Sequence, residues 1–229
     1  MSDKSMTPSK ALKEVAVQND HFVREHKPAY FEPHQRAQTP FLTLVSCCDS
    51  RVQPTVLLRD PVNQAFVIEN IGNQFTNSRG SVDYGVLHLQ TPILMILGHA
   101  DCGAIKAHAG GYENETSGIK EELDSLNPPL ANFSVPEGVD HDHDILGRVQ
   151  TNVDYQVAQA VKHYQAQVDA GTLVVVGAFY DFWNACEKGQ GRVVVLNVNG
   201  ETDSKKLQEL PLLGELDEEL CGTLTTRLS

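Results

Sequence analysis

Two short stretches carry the residue types that hold a metal ion: Cys47-Cys48-Asp49-Ser50-Arg51 and Gly98-His99-Ala100-Asp101-Cys102-Gly103. His99 and Cys102 are close in sequence, Cys47 comes from elsewhere in the chain, and thiolate sulfur with imidazole nitrogen is a donor set suited to zinc. Structural zinc sites close with four Cys or His ligands, whereas catalytic sites leave one position for water or substrate. Cys47, His99 and Cys102 leave that position open. Two uses are open to Asp49: it can bind the metal as a fourth ligand, or pair with Arg51 and accept a hydrogen bond from water at the metal. A cysteine met alone is ordinarily a packed thiol. Here the x2 spacing of His99 and Cys102, with Asp49 and Arg51 completing the set, favours the metal reading. Cys48 reads as packing, because the ring strain of a disulfide between adjacent residues disfavours a redox pair with Cys47.

These residues need strand ends to position them. Phe41 to Ser46 is a short apolar run with β-branched residues, which reads as a buried strand delivering Cys47 at its end. Ile93 to Leu97 reads as a second strand delivering His99 and Cys102, implying parallel neighbours joined by helical crossovers. In open α/β sheets, sites collect outside the carboxyl ends of the strands. A further strand over 65–68 ends at Glu69-Asn70-Ile71-Gly72-Asn73, where the glycine suits a tight turn.

Thr7 and Pro8 begin a helix running to about His26, and helices are expected over 81–89 and 103–109. The 110–147 segment reads as an irregular excursion with a short helix, and its His141-Asp142-His143-Asp144 run as solvated polar residues rather than a surface metal site. Over 148–170, Val149, Val153, Val157, Ala160, Val161, Tyr164 and Val168 form a helical stripe that core packing explains. Strands over 173–176 and 192–198 and a terminal acidic helix over 210–220 complete the chain. The expected fold is α/β, a mainly parallel central sheet flanked by helices. An N-terminal helical arm (1–36) precedes the zinc domain (37–229).

At 229 residues with 41% hydrophobic content, the chain can bury a sizeable single core. A formal net charge of −12 argues against nucleic acid as a partner. No apolar run approaches the length of a membrane span, and no P-loop or Gly-x-Gly-x-x-Gly fingerprint supplies a phosphate cradle. Five irregularly spaced cysteines do not form a disulfide framework, and zinc thiolates need a reduced compartment, so a cytoplasmic location is expected.

Cys-x-Asp-Ser-Arg followed by Gly-His-x-x-Cys-Gly resembles the two signatures of the beta-class carbonic anhydrases. The likeness runs from about Gln38 to Asp181, through Asn70-Ile71-Gly72-Asn73, the 81–89 stretch and Tyr180-Asp181. Glu69 departs from it, standing where the family's Arg-Asn-x-Gly-Asn element has arginine. The resemblance implies one Zn2+ per subunit on Cys47, His99 and Cys102, and reversible hydration of carbon dioxide to bicarbonate by hydroxide generated at the metal. Asp49 and Arg51 would be the catalytic pair. It further implies that Gln38 bonds a substrate oxygen, that Phe75 and Tyr84 shape a small apolar pocket, and that the N-terminal arm lies across a partner in a homodimer or homotetramer. Hydrolysis of carbonyl sulfide or carbon disulfide uses the same ligands. A catalytically silent zinc-binding interaction protein, with Asp49 kept on the metal, is the alternative from another class, and the intact Arg51 weighs against it.

Overall fold

The computed structural model describes residues 6–135 and 138–228. The chain falls into two compact units, one ending at Thr39 and the other beginning at Pro40. In the first, α1 (Pro8–Glu25) starts where Thr7 accepts a hydrogen bond from the Lys10 amide and Pro8 presets the first turn. It is followed by α2 (Pro28–Phe31) and a 3-10 turn over Glu32–His34. The rings of Phe22 and His26 stack at 4.0 Å, and Tyr30 meets His26 edge-on at 4.3 Å.

The second unit is built on a five-stranded sheet ordered β2-β1-β3-β4-β5. Its strands are β1 (Leu42–Cys47), β2 (Ala65–Asn70), β3 (Ile93–His99), β4 (Val174–Asp181) and β5 (Arg192–Val198). β1 pairs in parallel with β2 and β3, and β3 with β4; only β5 runs antiparallel. β1 is buried along its whole length, as a strand covered on both faces must be, which is why its sequence is continuously apolar rather than alternating.

Between the strands lie α3 (Arg79–Asp83), which continues as a π-helical turn over Tyr84–His88, then α4 (Gly103–Gly110), α5 (Ser117–Asp124) and α6 (Asn127–Leu130). α7 (His141–His163) and α8 (Gln165–Asp169) precede β4, and α9 (Ser204–Gln208) and α10 (Glu218–Leu224) follow β5. α7 lies across β3 and β4 and approaches closely because those strands present glycines to it. A Cβ on Gly98 would come within 2.7 Å of Val153 and 2.8 Å of Val149, and one on Gly177 within 2.8 Å of Val153.

Three expectations need correction. The 110–147 segment is not one irregular excursion, because it holds α5, α6 and the start of α7. His141 to Asp144 form the first turn of α7, capped by the Asp140 carboxylate on the His143 amide at 2.9 Å, with acids placed where the helix dipole favours them. The helix expected over 210–220 begins only at Glu218. Pro211 and Gly214 shape a 3-10 turn first, and Asp217 then caps α10.

Candidate metal centre

β1 and β3 are neighbours in parallel register, with Ser46 opposite Leu97, so their carboxyl ends open on the same side of the sheet. Cys47 is the last residue of β1, and His99 the last of β3. Asp101 turns the chain with a positive φ of 55°, and Cys102 follows as the N-cap residue of α4. Ligand atoms of Cys47, His99 and Cys102 lie within 4.8 Å of one another, and all three residues are buried. Among the described residues this is the one His, Cys, Asp and Glu group with metal-site geometry.

The donor set fits a metal on an independent ground. His99 Nδ1 donates to the Ala100 carbonyl at 2.7 Å, which fixes the tautomer and leaves Nε2 with its lone pair. That Nε2 is buried and has no hydrogen-bond partner, a costly arrangement in a packed interior unless a ligand completes it. Hydrogen bonding from Cys102 holds the Cys47 thiol well below the usual thiol range, against the opposing effect of burial. The same contact, reinforced by burial, pushes Cys102 up. Two sulfurs sharing one proton are poised to exchange that proton for a cation. Cys48 next door is exposed rather than packed, because the strand has ended and its side chain leaves the sheet.

Asp49 is not part of the cluster. Arg51 grips both of its carboxylate oxygens, Nε to Oδ1 at 2.9 Å and NH2 to Oδ2 at 2.7 Å, while the Arg51 amide adds a bond to Oδ1 at 3.0 Å. These bonds hold the Asp49 carboxyl down at about 2, so it is ionised throughout the neutral range. Sequence reasoning missed what holds Arg51 itself. Asp101 takes NH1 at 2.8 Å on its carboxylate and NH2 at 3.1 Å on its carbonyl, Lys106 neutralises the other Asp101 oxygen at 2.6 Å, and the Phe182 ring lies 4.9 Å from the guanidinium carbon. Asp101 occupies a variable position of the Gly-His-x-x-Cys-Gly signature, so only its charge hinted at a role.

The residues expected to meet the substrate differ in exposure. Gln38 belongs to the first unit and is exposed. Tyr84 is partly exposed and stacks on Phe66, with ring centroids 5.6 Å apart. Phe75 is only 1% exposed and packs edge-on against Tyr164. Asp181 is buried and accepts the Ala185 and Cys186 amides at 2.9 and 2.8 Å, so it closes the turn after β4.

Two sulfurs and an imidazole gathered at the carboxyl ends of a mostly parallel sheet form a donor set compatible with zinc, placed where α/β sheets carry their sites. The family model described as carbonic anhydrase matches residues 42–187, well over half of the chain. The chain belongs to the carbonic anhydrase family, in its beta class.

It is 27% identical over 162 residues to a carbonic anhydrase of Mycolicibacterium smegmatis, covering 63% of this chain and 72% of that protein. Against beta carbonic anhydrase 3 of Arabidopsis thaliana the identity is 28% over 107 residues, covering 43% of this chain and 41% of the relative. Its fold is similar to that of the Coccomyxa beta-carbonic anhydrase crystallised with acetazolamide: TM-score 0.68, identity 24%, coverage 89% of this chain and 92% of the other. A tetrameric beta-carbonic anhydrase of Sordaria macrospora gives a TM-score of 0.66 at 21% identity, covering 82% of this chain and 95% of the other.

Proposed function

We propose that the chain catalyses the reversible hydration of carbon dioxide to bicarbonate and a proton, with one zinc ion per subunit held by Cys47, His99 and Cys102. The observation that carries this reading is the buried, unpartnered Nε2 of His99 beside two cysteine sulfurs. When bound, zinc supplies the Lewis acidity that lowers the pKa of water from 15.7 to about 7 and makes hydroxide available. Cys47 and Cys102, as thiolates, cancel the charge of a dication, which moves the working range to mildly alkaline pH.

Asp49 stays a carboxylate at these pH values and is too weak a base to take up a proton. Its part is to accept a hydrogen bond from the attacking water and so orient it. Arg51 keeps that carboxylate turned to itself and away from a metal position, braced in turn by Asp101 and Phe182. Gln38 and Tyr84 are the proposed contacts of the substrate, while Phe75, being buried, can only shape the pocket from behind. The proton released passes to solvent or buffer.

Assembly as a homodimer or homotetramer is part of the proposal. It is supported by the tetrameric state of the Sordaria macrospora protein and by the exposed apolar side chains Val67, Tyr84 and Leu87 at and beyond the β2 edge. A cytoplasmic location suits free thiolates. No helix among the described residues is long and apolar enough to cross a membrane. The test is stopped-flow carbon dioxide hydration by zinc-loaded protein at alkaline pH. Fast hydration is expected. A zinc-replete protein without hydration would overturn the proposed reaction and direct attention to carbonyl sulfide, carbon disulfide or a silent site.

A further inference from the structure

The buried face of α7 is not purely apolar. Asn152 and Gln156, one helical turn apart, flank Val153 and Val157 and are fully buried. Burying a side-chain amide costs about 1–3 kcal/mol unless its polar atoms are satisfied. Both are satisfied, and outside the pair every partner is backbone of one short turn. Asn152 Nδ2 donates to the Gly72 carbonyl at 2.9 Å, and Gln156 Nε2 donates to Asn152 Oδ1 at 3.1 Å. Gln156 Oε1 accepts the Phe75 amide at 3.0 Å and the Thr76 amide at 3.4 Å.

That turn needs outside support. Gly72 and Asn73 have φ of +83° and +47°, successive left-handed residues that no regular element stabilises. Glycine permits the conformation without enforcing it. Enforcement comes from three sides: Asn70 brackets the turn through the Gln74 carbonyl and amide at 2.7 Å each, Gln74 Nε2 holds the Ile71 carbonyl at 3.0 Å, on the peptide that carries the Gly72 N–H, and Asn152 holds the next carbonyl. The turn follows directly on β2, whose last residue, Asn70, pairs with Cys47. The placement follows from register, since Cys47 lies opposite Asn70 and the Cys48 amide bonds the Asn70 carbonyl at 3.1 Å.

We infer that Asn152 and Gln156 are positioning residues for the metal centre, holding the 72–76 turn in place beside the strand end that carries Cys47. This rests on Cys47, His99 and Cys102 being the metal ligands. It assigns α7 a part in the site although no hydrogen bond joins its described side chains to Cys47, His99 or Cys102.

The test uses the full chain with Asn152→Leu and Gln156→Glu, and Val157→Ala as a packing control on the same helix face. The zinc dissociation constant is measured by competition with a chromophoric chelator, and the sulfur-to-metal charge-transfer band on the cobalt(II)-substituted protein. In Asn152→Leu the carbonyl of Gly72 loses its donor. In Gln156→Glu the Asn152 amide faces a carboxylate, turns its donor toward it and presents its oxygen to Gly72.

Both variants are expected to lose about 10- to 100-fold in zinc affinity, the usual effect of disturbing groups that orient a ligand. Their cobalt bands should shift as the backbone beside the Cys47 sulfur moves. Val157→Ala should lower the melting temperature with affinity and band unchanged. Should Asn152→Leu fail to fold, the isosteric Gln156→Glu decides alone. Asn152→Leu and Gln156→Glu variants that bind zinc as tightly as the parent, with an unshifted band, overturn the inference and leave the proposed reaction standing. A parent protein that does not bind zinc removes the metal centre itself, and this inference with it.

Discussion

Arg51→Ala tests the arrangement most directly. The substitution removes two side-chain bonds to Asp49, at 2.9 and 2.7 Å, and the contacts to Asp101 and Phe182, but touches none of the three ligands. The backbone bond from residue 51 to Asp49 survives. A hydrogen bond to a charged group contributes about 1.5–3 kcal/mol, so the two are worth about 3–6 kcal/mol of orienting energy before solvent screening. The Arg51 side chain is 45% exposed and that of Asp49 16%, which places the effective value at or below the lower end.

At 1.36 kcal/mol per tenfold in rate, about 3 kcal/mol is about a hundredfold loss of hydration. Freed from the guanidinium, the Asp49 carboxylate can turn to the metal and fill the open position. Zinc content should therefore stay at one per chain while the rate falls. The assay is stopped-flow hydration at alkaline pH beside metal analysis of the same sample. A zinc-replete Arg51→Ala variant with the parent's rate would refute the reasoning.

Two further outcomes concern stability. Gly98→Ala drives a methyl group into Val149 and Val153 of α7 one residue before His99, and should cost about 1–3 kcal/mol by urea unfolding. Asp83 accepts hydrogen bonds from Tyr164 and His163, each at 2.8 Å; burial alone would raise its pKa, but these bonds outweigh burial and hold it below the ordinary value of 3.8. The unfolded chain then binds more protons below about pH 4, so this contribution is present at neutral pH and disappears as pH falls through the lowered value. Asp83→Asn should flatten the acid limb of stability against pH between about 2 and 5, and an unchanged limb would contradict the assignment.

The clustering of Cys47, His99 and Cys102 was legible from residue type and spacing, and β1 and β3 from apolar runs too short and too β-branched for helices. β5 runs between the expected limits, Arg192 and Val198. The start of α7 was hidden because a helix N-terminus with Asp140, Asp142 and Asp144 has the composition of a polar loop, and apolar spacing begins only at Ile145. Core packing alone does not account for the α7 face, since Asn152 and Gln156 are buried there with the valines. Polar residues four apart beside an apolar stripe were the available signal. The helix expected over 81–89 has a π-helical turn at Tyr84–His88, where the spacing of Val82, Val86 and Leu89 gives no warning of the wider winding.

Two of the three proposed ligands are carried by adjacent strands at the centre of the sheet, Cys47 on β1 and His99 on β3, and Cys102 caps α4. Separating Cys47 from His99 means parting two strands buried from end to end or nearly so, an event that belongs to global rather than local opening. Escape of the ion should therefore keep pace with unfolding of the whole sheet. Residence time at this centre becomes a property of the fold's kinetic barrier more than of the strength of any one bond to the metal.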